Sequence, residues 1–100
     1  MRVALIQHRH AGDTTQNLAA TGTAVATAAA EGADLVVLAE LHSGPYFCQV
    51  EAPTEFDRAE TIPGPTSEAL ARLAREHRVV LVGSLFERRA PGLFHNTAVV

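Results

Sequence analysis

The chain has 100 residues, 47% of them hydrophobic, and a formal net charge of −3, with a pI of about 5.9. That suffices for one small domain with its own core, and not for two. It excludes a basic nucleic-acid footprint, and no apolar run approaches the ~18 residues of a membrane-spanning helix. A single Cys cannot build a disulfide framework, so a reduced, cytoplasmic setting is expected. Met1 to Gln7 carry no cleavable signal pattern. The eight basic residues are all Arg; Lys is absent.

Arg2-Val3-Ala4-Leu5-Ile6-Gln7 is a short apolar run between polar residues and predicts a buried strand. Asp13 offers an N-cap, with Gln16 three residues on as its capping-box partner. From Thr14 to Glu31 the chain is Ala-rich, with Leu18, Val25 and Ala29 near helical spacing and Gly32 as a stop. Asp34-Leu35-Val36-Val37-Leu38 is a second buried strand, apolar enough to have both faces covered. Strand, helix, strand in this span is a βαβ unit of a parallel sheet.

Residues 42 to 65 hold prolines 45, 53, 63 and 65 and glycines 44 and 64, and predict a long functional loop. Pro63-Gly64-Pro65-Thr66 is turn chemistry leading into a helix that runs to about Arg78. Ala69, Leu70, Leu73 and Ala74 face inward on it; Glu68, Arg72, Arg75 and Glu76 face outward. Val79 to Ser84 is a third strand, Arg88 to Gly92 a turn, and Leu93 to Val100 a fourth strand. The order is βαβαββ, and an end inside an apolar strand reads as half of a layered α/β domain. A small complete α/β domain is the alternative.

Among residues that carry chemistry, Glu40 stands just past a buried strand, at the carboxyl edge of a parallel sheet, where open α/β sheets bind ligands. Flanking Leu38, Ala39 and Leu41 can desolvate its carboxylate and make it a better proton acceptor. The plain alternative is a Glu that ends a strand and points to water. Cys48, eight residues on and in the same loop as His42, invites a nucleophile reading; a small buried hydrophobe is the alternative. His8 and His10 share one face but have no nearby third ligand, so they are expected to be exposed or loop histidines and no metal site is expected. His77 suits the dipole at a helix C-terminus. His95 and Asn96 are expected to satisfy backbone groups, and Glu87-Arg88-Arg89 to form a solvated turn. Phosphate-loop, dinucleotide and zinc signatures are absent.

Leu35-Val36-Val37-Leu38-Ala39-Glu40-Leu41 resembles the strand that delivers the catalytic glutamate in the nitrilase superfamily of carbon–nitrogen hydrolases. Four further stretches match in order and spacing: Val3 to Gln7, Glu31 to Asp34, Ile62 to Thr66, and Asn96 to Val100. Pro45-Tyr46-Phe47-Cys48-Gln49 and Gly83-Ser84-Leu85-Phe86-Glu87-Arg88 are similar to one subgroup, the N-carbamoylputrescine amidases. The resemblance implies an αββα sandwich of which residues 1–100 are the N-terminal part of one domain. It implies a Glu–Lys–Cys triad with Glu40 as general base and the Lys and Cys further along the chain. On that pattern Cys48 is not the nucleophile; it shapes a substrate-binding loop with Tyr46 and Phe47. The family usually has Pro before the glutamate, whereas Ala39 here leaves the strand exit freer. The implied reaction is hydrolysis of N-carbamoylputrescine to putrescine, CO2 and ammonia, with no cofactor, a small-molecule substrate and a homo-oligomeric full-length protein. Sibling amidases or nitrilases, and a non-enzymatic α/β interaction module, are the alternatives.

Overall fold

In the computed structural model, residues 1–46 and 51–100 are described. Strand β1 (Val3–Ile6), helix α1 (Thr14–Ala30), strand β2 (Leu35–Leu38), a 3-10 helix (Pro53–Arg58), helix α2 (Pro65–His77), strand β3 (Val80–Ala90) and strand β4 (Leu93–Val99) follow in order. The sheet order is β1-β2-β3-β4. β1 and β3 flank β2 in parallel, with Val3 opposite Leu35 and Leu35 opposite Val80. β4 returns antiparallel to β3, with Gly83 opposite Val99. This is the expected βαβαββ order.

Local chemistry explains the helix ends. Asp13 caps α1, its Oδ1 accepting from the Gln16 N–H at 3.0 Å. Gln16 Nε2 donates to Asp13 Oδ2 rather than reaching back to the cap's backbone, so the box is only half made. Gly32, at φ +88°, takes the left-handed turn that lets the chain reverse into β2. At the start of α2, a Cβ on Gly64 would lie 2.3 Å from Thr61 O, so only glycine allows that approach. Pro65 fills the first helical position, where no donor is lost. The Glu60 carboxylate accepts from Thr66 N–H at 2.8 Å and from the Thr66 hydroxyl, a negative charge at a helix N-terminus.

Both helices pack on one face of the sheet. Val25 and Ala28 of α1, Leu70 of α2, and Val36, Leu38, Leu81 and Ala33 form the core with Val79. Fully burying one such aliphatic side chain contributes about 1.5–3 kcal/mol. The inward stripe of α1 is Asn17, Thr21, Val25 and Ala28, with Leu18 and Ala29 at its flank. Polar Asn17 and Thr21 lie inside because they bond to loops and a histidine there. The expected inward face of α2 holds, with Leu70 buried and Ala69, Leu73 and Ala74 half-buried.

Three expectations are corrected. The apolar strand runs predicted a sheet covered on both faces, yet Leu5 is 79% and Val80 52% exposed on the face away from the helices. The long loop carries a 3-10 helix, whose Phe56 packs with Phe86 and Phe94 at centroid distances of 5.9 and 4.6 Å. Glu87-Arg88-Arg89 is strand, not turn. Glu87 points to the helix side, 5% exposed, and accepts from the Thr97 hydroxyl at 2.7 Å and from Arg89. Alternation along β3 puts it inside even though its neighbours are charged.

Candidate active site

The carboxyl ends of β1 and β2 lie side by side because the strands are parallel and in register. The loops leaving them are tied together by one residue. Asn17, fully buried on α1, accepts from Ala11 N–H at 2.7 Å and donates to Ser43 O at 3.1 Å. Its amide carries one acceptor and two donors, so it can serve both loops at once.

After β2 the chain turns sharply. Leu41 has φ +50°, an uncommon backbone for a side chain with a Cβ. Its N–H donates to Ser84 Oγ on β3 at 2.7 Å. Ala39 supplies no proline ring to stiffen this exit, but the bond to Ser84 fixes the backbone from the neighbouring strand. The turn sends consecutive side chains to different sides: Glu40 is exposed, whereas Leu41 and His42 are buried.

Glu40 opens onto a depression of about 370 Å³ lined by Leu38, Val82, Gly83, Ser84, Asn96 and Ala98. Val82 and Ser84 alternate with the helix-facing Leu81, Gly83 and Leu85, so this is the sheet face away from α1 and α2. The carboxylate Oε1 accepts from Asn96 Nδ2 at 2.5 Å. The expected desolvation by Leu38, Ala39 and Leu41 is not present in this chain. Leu38 and Leu41 are buried, and the Glu40 side chain faces water. Asn96 was expected to serve the backbone; it serves the carboxylate instead.

Of the expected loop residues, Tyr46 is 46% exposed and does not line the Glu40 depression. Phe47 and Cys48 lie outside the described residues. His8 and His10 lie in the loop after β1, as expected, but are not exposed. Their rings meet edge to face at 6.2 Å, His8 Nε2 is 3.4 Å from the Thr21 hydroxyl, and both are half-buried. His42 joins them from the β2 exit. It is 1% exposed, and neither ring nitrogen has a hydrogen-bond partner among the described residues. Burial, and then the charges His8 and His10 can carry, push its pKa down to about 4. A methyl group on Gly83 would sit 3.2 Å from His42 Nε2, so glycine there makes room for the ring. Among the described residues, no group of three or more His, Cys, Asp or Glu side chains is placed to hold a metal ion. No helix among them is long and apolar enough to cross a membrane.

The residues sequence reasoning missed are Asn17, Ser84 and, in its role, Asn96. Each acts across more than 20 positions: Asn17 on Ser43, Ser84 on Leu41, Asn96 on Glu40. A polar residue on the inward stripe of α1 was the one available signal, for Asn17.

Residues 2–100 match the carbon-nitrogen hydrolase family. The N-carbamoylputrescine amidase of Solanum lycopersicum is 33% identical over 99 residues, covering 98% of this chain and 33% of that protein. An omega-amidase of Mus musculus is 34% identical over 100 residues, covering 99% of this chain and 34% of that one. The crystal structure of a carbon-nitrogen hydrolase from Helicobacter pylori G27 superposes with a TM-score of 0.92 at 37% identity, covering 99% of this chain and 34% of its own. A glutamate-to-glutamine mutant of an amidase from Nesterenkonia sp. AN1, with acrylamide added at its active-site cysteine, gives 0.77 at 28% identity, covering 98% and 38%. This chain therefore spans about a third of the length of the relatives it matches. Matched over nearly its whole length in sequence and in fold, the chain belongs to the carbon-nitrogen hydrolase family.

Proposed function

We propose that Glu40 is the general base of a thiol-dependent carbon–nitrogen hydrolase, to which residues 1–100 contribute the N-terminal part. The observation that carries this reading is the placement of one exposed carboxylate at the carboxyl end of a parallel strand, oriented by a hydrogen bond to Asn96 and opening onto a depression. A base needs an accessible oxygen within reach of the proton it takes, and Glu40 Oε2, with no hydrogen bond among the described residues, is left for that task.

The reaction proceeds through a covalent intermediate. Glu40 takes the proton of a Cys thiol from a later part of the protein, and the sulfur attacks the carbamoyl or amide carbon. A Lys, also from a later part, stabilises the oxyanion of the tetrahedral intermediate. Protonated Glu40 returns its proton to the leaving nitrogen, and ammonia departs. Glu40 then deprotonates water, which hydrolyses the thioester-like intermediate and frees the sulfur. With N-carbamoylputrescine the released carbamate loses CO2 and gives putrescine, the step expected in polyamine synthesis. The setting is cytoplasmic, the substrate a small molecule, and the full-length protein a homo-oligomer.

This substrate is favoured by the loop Pro45-Tyr46-Phe47-Cys48-Gln49 and by relatives named N-carbamoylputrescine amidase in several plants. A second reading, a sibling amidase, is favoured by equal likeness elsewhere. A citrullinase of Francisella tularensis is 31% identical and the mouse omega-amidase 34%. The test is a substrate panel on the full-length gene product: N-carbamoylputrescine, citrulline, β-ureidopropionate and ω-amides. Preference for N-carbamoylputrescine supports the first reading; preference for another member of the panel replaces it with the second.

A further inference from the structure

We propose that Asn96 and Ser84 are positioning residues that hold Glu40 in one working geometry, a reading that rests on Glu40 as the base. The two act on consecutive residues from two neighbouring strands. Asn96 Nδ2 on β4 donates to Glu40 Oε1 at 2.5 Å. Ser84 Oγ on β3 accepts from the N–H of Leu41 at 2.7 Å. One bond fixes the carboxylate, the other the backbone immediately after it. Ser84 stands opposite Ala98 and Asn96 opposite Phe86, so the antiparallel pairing sets the spacing between the two contacts.

The chemistry assigns each atom a task. Only the nitrogen of the Asn96 amide can donate to a carboxylate, so the orientation of that amide is dictated. Hydrogen bonds to charged acceptors are the stronger and more directional kind. With Oε1 held, the rotation of the Glu40 carboxyl is fixed and Oε2 is presented to the depression. The left-handed Leu41 turn needs an external partner, because a non-glycine residue does not adopt φ +50° freely. Ser84 is that partner. Glu40 and Asn96 are both exposed, and exposed polar pairs contribute little to fold stability. The contact therefore matters for geometry more than for folding, and a positioning role is separable from a structural one.

The experiment uses kinetics and NMR on the full-length gene product. Asn96→Ala is expected to lower kcat on the order of 10- to 100-fold, the worth of one bond to a charged group, with KM and the unfolding midpoint little changed. Ser84→Ala lowers kcat in the same way, and Ser84→Thr, which keeps the hydroxyl, loses less than Ser84→Ala. If Asn96→Ala leaves kcat within about threefold of the parent while Glu40→Gln abolishes turnover, the positioning role is overturned and the base remains. If Glu40→Gln stays active, the base and the positioning role fall together. The NMR measurement needs no turnover. The Asn96 side-chain amide is expected to show one downfield proton that moves upfield in Glu40→Ala; an unchanged resonance removes the contact and the proposal with it.

Discussion

Acid should destabilise this fold through one histidine. His42 is 1% exposed, with both ring nitrogens lacking a partner among the described residues. Its pKa drops from an ordinary 6.5 to about 4, first through burial and then through His8 and His10. The folded state therefore binds fewer protons than the unfolded state between these values. Stability is full above about pH 6.5, falls as the pH drops toward 4, and levels off below. At about 1.4 kcal/mol for each pH unit, this drop amounts to roughly 3 kcal/mol. The perturbation is His42→Phe, which keeps an aromatic ring and removes both nitrogens. Urea unfolding followed by circular dichroism, at about pH 7 and about pH 4.5 where the imidazole changes charge, gives the two stabilities. The parent should lose roughly 2–3 kcal/mol more than His42→Phe on acidification. At neutral pH the variant should be at least as stable, since no polar atom is left unpaired. Equal acid losses in the two proteins would rule out His42 as their source.

Other substitutions test the frame around the site. Asn17→Leu strands the Ala11 N–H and the Ser43 carbonyl and should cost about 1–3 kcal/mol in chemical unfolding; Asn17→Asp, which sets a fully buried carboxylate against the Ser43 carbonyl oxygen, should cost at least as much at neutral pH. Gly64→Ala places a methyl 2.3 Å from Thr61 O, a backbone atom that cannot swing away, and should destabilise by about 1–3 kcal/mol in thermal melts. The 100-residue chain has no Lys and one Cys, so it should show no amidase turnover by an ammonia-release assay. Turnover by this chain that Cys48→Ala abolishes would contradict that expectation.

The sequence was most informative where structure is local. Asp13, Gly32 and Pro63-Gly64-Pro65 mark helix ends because capping and turn chemistry act over three or four residues. The apolar run Leu35–Leu38 places Glu40 at a sheet edge because parallel strands are dense in apolar residues. Local reading failed where a partner lay far along the chain. Glu87 belongs to a strand because it pairs with His95 and bonds to Thr97, and a charge run gives no sign of that. The histidine cluster joins residues 8, 10 and 42 only after β1 and β2 align. Nothing near Glu40 signals that Asn96, 56 residues away, holds its carboxylate.

Glu40→Gln in the full-length gene product removes the base and little else. Gln fills nearly the same space, and Asn96 Nδ2 can still donate to its carbonyl, but the amide cannot accept a proton at working pH. With Glu40 as the base, kcat should fall by several orders of magnitude, on the order of the 10²–10⁴ that a general base supplies at each proton transfer, with the unfolding midpoint preserved. Near-normal turnover in that variant would contradict it.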